Sequence, residues 1–134
     1  MNLKPLLKNK LITIKPLKEE DFEVLYEVAK DPLIWDQHPA KRYKKEVFSE
    51  FFQQSLASGG AMIIIDNETA EVIGSSRFQS LEGFANGIEI GWTFLARKYW
   101  GGKYNASIKN LMITHALKHV DYVFFIVAKE NERS

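Results

Sequence analysis

Between Glu89 and Asn105 the chain reads Glu-Ile-Gly-Trp-Thr-Phe-Leu-Ala-Arg-Lys-Tyr-Trp-Gly-Gly-Lys-Tyr-Asn, and this stretch holds the residues best suited to chemistry. Gly87 to Ala96 alternates as a strand does. Ile88, Ile90, Trp92 and Phe94 are expected on one face; Glu89, Gly91, Thr93 and Leu95 on the other. Glu89 therefore stands beside Gly91, which leaves space where a side chain would be. A carboxylate next to an unfilled position can act as a general base, provided that burial or neighbours raise its pKa from about 4.3 toward neutrality. The plainer alternative is a strand residue that faces solvent. Gly101-Gly102 then open a helical segment. Exposed N–H groups at a helix start, with the helix dipole behind them, attract anions, and glycine lets a phosphate approach the backbone. Lys98 and Lys103 add positive charge beside the turn. Two glycines before a helix also serve simply as a turn, and the local pattern leaves both readings open.

Other groups weigh less. His115 and His119 are four apart on a helix and share a face, but the segment His-Ala-Leu-Lys-His lacks the Glu of the zinc-protease pattern and no third ligand is evident, so no metal is expected. Phe48, Phe51 and Phe52 read as core, with a direct ligand contact as the alternative, and Trp35 is read in the same way. His38, beside Pro39, reads as a loop residue within reach of a substrate. Arg77 and Ser76 fall on a central strand in a surface or hydrogen-bonded role. The run Lys41, Arg42, Lys44, Lys45 reads as a solvated face.

The elements that would position these residues follow from periodicity and breakers. Met1 to Lys10 is read as a loose lead-in. Leu11 to Ile14 is a short β-branched strand ended by Pro16. Glu19, Glu20 and Asp21 suit a first helical turn, followed by Phe22, Leu25, Tyr26 and Ala29 on one helical face, with Asp31-Pro32 as the stop. Lys44 to Ala57 is a second helix ended by Ser58-Gly59-Gly60. Ala61 to Ile65 is a continuous apolar strand covered on both sides. Asp66 to Thr69 is a turn, Glu71 to Gln79 the returning strand, and Ser80 to Asn86 a connection. A long helix follows the glycines to about Val120, and Tyr122 to Val127 is the last strand. The predicted order is β-α-α-β-β-β-α-β. It implies an α+β fold, a mixed α/β sheet with helices packed on it, in a single domain.

Composition sets the outer limits. The chain has 134 residues, 46% hydrophobic and 26% charged, with a net charge of +1. That balance suits one soluble globular domain and gives no reason to expect nucleic acid or an anionic membrane as a partner. The absence of cysteine excludes a disulfide scaffold, a zinc ribbon and a thiol nucleophile, and is compatible with a reducing cytoplasm, the expected location. No signal peptide is read at the start, and no apolar run reaches the roughly 18 residues of a membrane span.

The segment from Lys98 to Lys103 resembles the cofactor motif of the GNAT acetyltransferases: Gln or Arg, two residues, Gly, one residue, then Gly or Ala. It falls on this sequence as Lys98, Tyr99, Trp100, Gly101, Gly102, Lys103. Lys15-Pro-Leu-Lys-Glu-Glu-Asp21, Asp31-Pro32 and Trp35 resemble the opening of the branch that acetylates protein N-termini and small amines. Asn131-Glu-Arg-Ser134 is similar to the Asn-x-x-Ser after that branch's fifth strand. The resemblance runs from about Leu11 to Ser134.

The resemblance implies acetyl transfer from acetyl-CoA, as co-substrate, to a primary amine of a small molecule or peptide, by direct attack and without metal. The backbone around Phe94 and Leu95 would pair with the pantetheine arm. Amides from Gly101 and Gly102 through Lys103, Tyr104 and Asn105 would hold the pyrophosphate. Glu89 would be the base, and Asn131 would line the cleft between strands.

Lys98 stands in place of Gln or Arg, Lys103 in place of Gly or Ala, and the stretch between Gly91 and Gly101 is one residue longer than in close relatives, which a bulge would absorb. The family continues past Asn-x-x-Ser with a helix and two strands, so the chain is expected to be C-terminally incomplete. Its uncovered sheet edge would favour a homodimer. A module that binds CoA or a partner without turnover is the alternative reading.

Overall fold

A computed structural model describes residues 3–36 and 38–125. Its strands are β1 (Leu7–Lys8), β2 (Ile12–Pro16), β3 (Ala61–Asp66), β4 (Val72–Ser80), β5 (Gly87–Leu95) and β6 (Tyr122–Phe125); its helices are α1 (Phe22–Ala29), α2 (Lys45–Ser58) and α3 (Lys103–Leu117). The strands form one sheet in the order β1-β2-β3-β4-β5-β6. Each neighbouring pair is antiparallel except the last, in which β6 runs parallel to β5. This is the mixed α/β sheet that the pattern predicts. β1 is an addition: Leu7 and Lys8 pair with Ile14 and Thr13, so the lead-in forms a short hairpin, closed by Asn9, whose side chain accepts from the Leu11 and Ile12 amides at 2.9 Å each.

The apolar run of β3 is covered on both faces, as expected. Met62 and Ile64 pack with Ile12, Ile14, Phe78, Ile88 and Ile90 against Ile108, Met112 and Ala116 of α3. Ala61 and Ile63 turn the other way, toward Leu25 and Ala29 of α1 and Phe48, Phe51 and Phe52 of α2. Burying a phenylalanine as fully as Phe48 or Phe52 contributes about 1.5–3 kcal/mol. The helices are bounded by local chemistry. Asp21 accepts from the Lys18 amide at 2.8 Å within the turn Glu19–Asp21 that leads into α1. Asp31 accepts from the Leu33 amide at 3.1 Å, capping the short turn Pro32–Trp35. Gly59, at φ 76°, ends α2 in the left-handed conformation that glycine adopts freely.

The alternation expected for β5 does not hold along its whole length. Ile88 and Ile90 belong to the α3 side, but Phe94 packs with Trp35, Phe48 and Phe51 on the α1–α2 side, and Trp92 follows it. The cause is a bulge. Ser75 faces Phe94 and Arg77 faces Gly91, so Trp92 and Thr93 together oppose the single residue Ser76. Trp92 takes φ 56°, a conformation that costs a bulky residue energy. The bulge reverses the strand's faces, which places Glu89, Trp92 and Phe94 on one side.

Asp66 is also more than a turn residue. It ends β3 at 2% exposure, and its carboxylate accepts from Tyr104 Oη at 3.0 Å, Thr69 Oγ1 at 3.0 Å and Tyr99 Oη at 3.4 Å. Burial pushes its pKa up, but these donors and the Glu68 amide outweigh burial and hold the carboxyl below its ordinary range. The network ties the first turn of α3 to the end of β3.

Candidate active site

The bulge sits where β5 loses its last neighbour. β5 pairs with β6 from Gly87 to Ile90, and residues 91–95 have no β6 partner among the described residues. On the other edge, the Ala96 amide bonds the Ile73 carbonyl at 2.8 Å, and the Phe94 carbonyl abuts Gly74, where no side chain would fit. Phe94 therefore turns its backbone to β4. Strand alternation turns the Leu95 amide toward the open edge, while the Leu95 carbonyl accepts from Trp100 Nε1 at 2.9 Å.

Glu89 is 6% exposed, so it is not a solvent-facing strand residue. A Cβ built on Gly91 would meet only Glu89 Oε2, at 3.8 Å; otherwise it would project into open space. The carboxylate thus borders a gap. Burial pushes its pKa above the ordinary value, and the charge of Arg77 opposes that shift. Arg77 stands opposite Gly91 on β4, is also 6% exposed, and lies with its guanidinium carbon 3.6 Å from the centre of the Trp92 ring. Arg42 turns inward as well, instead of joining a solvated face. Its guanidinium carbon lies 4.3 Å from the Phe51 ring centre and 5.5 Å from that of Trp35. Burial and the like charge of Arg77 lower its pKa to about 10. His38 is half-buried beside Arg42, with Nε2 at 3.4 Å from Arg42 Nη1.

Ahead of α3, Gly101 takes φ 69°, which glycine tolerates and other residues do not. A Cβ on Gly101 or Gly102 would meet nothing within 4 Å, so the glycines border open space. α3 begins at Lys103 with no side-chain cap and no acidic residue in its first turn, and its first internal bond runs from the Ala106 amide to the Gly102 carbonyl at 3.3 Å. The amides of Lys103, Tyr104 and Asn105 are then the free donors of a helix start. The arrangement suits a phosphate.

The family model described as Acetyltransferase (GNAT) domain matches residues 12–134. The chain belongs to the GNAT acetyltransferase family. The fold agrees with solved GNAT structures. A GNAT-family acetyltransferase from Bacillus anthracis superposes with a TM-score of 0.78 at 17% identity, covering 95% of this chain and 76% of that one. A GCN5-related N-acetyltransferase from Brucella melitensis gives 0.74 at 12% identity, covering 89% of this chain and 57% of the other. The PaiA N-acetyltransferase from Thermoplasma acidophilum, solved in complex with coenzyme A, gives 0.58 at 19% identity, covering 90% and 82%. No curated protein matches the chain by sequence.

The GNAT fold thus brings Glu89, Gly91, Phe94 and Leu95 to one stretch of β5 and sets Gly101, Gly102, Lys103, Tyr104 and Asn105 just beyond it. Lys98 lies apart, on a groove between α1 and the β3–β4 hairpin with Glu27, Asp31 and Val72. The Tyr104 hydroxyl is committed to Asp66, which leaves its amide for a ligand. Asn131 lies outside the described residues. His115 and His119 meet edge to face at 5.2 Å between ring centres, and no group of three metal-ligating side chains occurs among the described residues. Sequence reading missed Arg42 and Arg77 as members of the site. One signal was available for Arg77: a charged residue in mid-strand between Ser76 and Phe78, where arginine is rarely buried without a purpose.

Proposed function

We propose that this GNAT protein transfers the acetyl group of acetyl-CoA to a primary amine. The observation that carries the proposal is the buried Glu89 carboxylate bordering the gap over Gly91, one strand and one turn away from the uncapped start of α3. The amides from Gly101 to Asn105 bind the pyrophosphate of the co-substrate, and the open edge of β5 receives its pantetheine arm. The acceptor enters over Gly91. An amine attacks only when unprotonated, and Glu89 takes its proton, directly or through a water in the gap. The amine then attacks the thioester carbonyl directly, and an N–H of the open β5 edge stabilises the charge that develops on oxygen. Collapse of the tetrahedral intermediate breaks the C–S bond and releases CoA, whose thiolate takes up the proton that the attacking nitrogen sheds.

Calorimetric titration with CoA and acetyl-CoA, coupled to an assay of CoA release with amine acceptors, tests this reading. Micromolar binding and turnover are expected. Glu89→Gln should keep acetyl-CoA affinity and lower kcat by about 10²-fold or more. In the wild type, kcat/KM should fall as pH drops through a value above the ordinary glutamate pKa, and the variant should lack that limb. Turnover that survives the substitution removes Glu89 from the mechanism. Binding without turnover of any amine would favour a CoA-binding module instead.

A further inference from the structure

Arg77, Arg42 and His38 make a cluster that acetyl transfer to a simple amine does not use. The ion pairs among the described residues are Lys30 with Glu27, Lys45 with Glu23 and Arg97 with Asp31, and none includes Arg42 or Arg77. Arg77 Nε is buried with no hydrogen-bond partner. Buried charges are ordinarily paired, so a guanidinium held this way lacks its complement. Among the described residues, Glu89 is the carboxylate whose charge acts on Arg77, and its oxygen is turned over Gly91.

His38 adds a donor. The Ala40 amide donates to Nδ1 at 3.0 Å, which requires a lone pair there, so the neutral ring carries its proton on Nε2. Burial and the Arg42 charge lower its pKa, against an opposing contribution from the Ala40 backbone. Nε2–H and Arg42 Nη1 are 3.4 Å apart, and each is a donor with nothing to give the other. An oxygen placed between them would satisfy both. Arg77 lies over the Trp92 ring and Arg42 over those of Phe51 and Trp35, contacts that hold the two guanidiniums in place. Planar guanidiniums suit the paired oxygens of a carboxylate or phosphate.

We propose that Arg77, Arg42 and His38 Nε2–H form a receptor for an oxyanion, carboxylate or phosphate, borne by the acceptor itself. The proposal rests on the reading of the site as an amine acetyltransferase, and it narrows the substrate class to amines that also carry an acid group. The receptor and the base lie on the same face of the sheet, so one molecule can present its amine to Glu89 while its anion is held by the arginines. Neutralising Arg77 in this way also removes the charge that opposes Glu89's basicity, so binding of the correct acceptor strengthens the base.

The test is calorimetry of the whole chain, at low chloride, with N-acetylated ω-amino acids of increasing length, their neutral amides, and N-acetylated amino-alcohol phosphates. These are the products of the proposed reaction, and their binding needs no turnover. At least one acid should bind about tenfold or more tighter than its amide. Whether carboxylate or phosphate gives the larger gain identifies the anion. Arg42→Met and Arg77→Met should each erase the gain and leave acetyl-CoA affinity unchanged. If Arg77→Met fails to fold, Arg42→Met and the acid-versus-amide comparison decide. Equal binding of acids and amides, or a gain that survives both substitutions, overturns the proposal. The free amines assayed for CoA release separate the two levels. Turnover of neutral amines in preference to amino acids sinks the receptor and leaves the acetyltransferase standing; tight binding of acids with no turnover of any amine does the reverse. With an anionic acceptor, the acid limb of kcat should lie at higher pH than with a neutral one, a shift that a purely structural role for Arg77 would not give.

Discussion

Glu89 is held where its ionised form is costly, since burial raises its pKa and Arg77 only partly compensates. For an acid whose folded pKa lies above its unfolded value, near 4.3, the linked stability is fully present below that value and is lost as pH rises through the folded pKa. Glu89→Gln removes this term. The variant should therefore melt at a higher temperature than the wild type at pH 7, and the difference should shrink toward pH 4. Equal melting temperatures at both pH values would show that the carboxylate is not strained by its surroundings. At this scale strand alternation made it legible that Glu89 and Gly91 share a face, whereas the burial of Glu89 was not legible. Nor was the placement of Arg77 and Arg42. Their inward turn depends on Trp92, Phe51 and Trp35, which come from three separate parts of the chain.

At the scale of elements, the glycine turn and the start of α3 form a single unit. Gly101 needs its left-handed φ, and both glycines border open space. Gly101→Asp adds a charge facing the phosphate site and a side chain that strains the turn. It should weaken CoA binding by about tenfold or more in titration while the protein stays folded. Unchanged affinity would remove the turn from the cofactor site. The elements themselves were largely legible, since β-branched runs, helical stripes and glycine stops mark β2 to β5 and α2 within two residues and the ends of α1 and α3 within about three. The bulge in β5 was foreseen only as a way of absorbing one residue. Its effect on facing was hidden, because Trp92 and Phe94 keep strict alternation with Ile90 in the sequence, and only pairing with β4 reveals the reversal.

On the scale of the whole molecule, Asp66 joins β3, the β3–β4 hairpin and α3 through hydrogen bonds that spread over 38 residues of sequence. Its folded pKa lies below the unfolded value of about 3.9, so the stability it contributes is present above that pH and is lost as pH falls through the folded pKa. Asp66→Asn should destabilise by about 1–3 kcal/mol at pH 7. The gap from the wild type should narrow below about pH 4, as read from denaturant midpoints at several pH values. A constant gap would mean that the carboxylate's charge is unimportant. In the sequence Asp66 looked like any turn aspartate, because its partners Tyr99 and Tyr104 lie beyond two further strands.

The sheet's spatial order is also its order in the chain. β1 with β2, β3 with β4 and β4 with β5 can therefore pair through short connections at little cost in loop closure, whereas β2 and β3 close across residues 17–60, which hold α1 and α2. The sixth must wait for α3, since a parallel partner needs a long crossover. During synthesis at the ribosome β1 to β5, with Arg77 and Glu89 on them, are made before β6 can dock on Gly87 to Ile90. An interruption of synthesis before β6 would leave Gly87 to Ile90 as an unpaired sheet edge, a template for pairing with another chain.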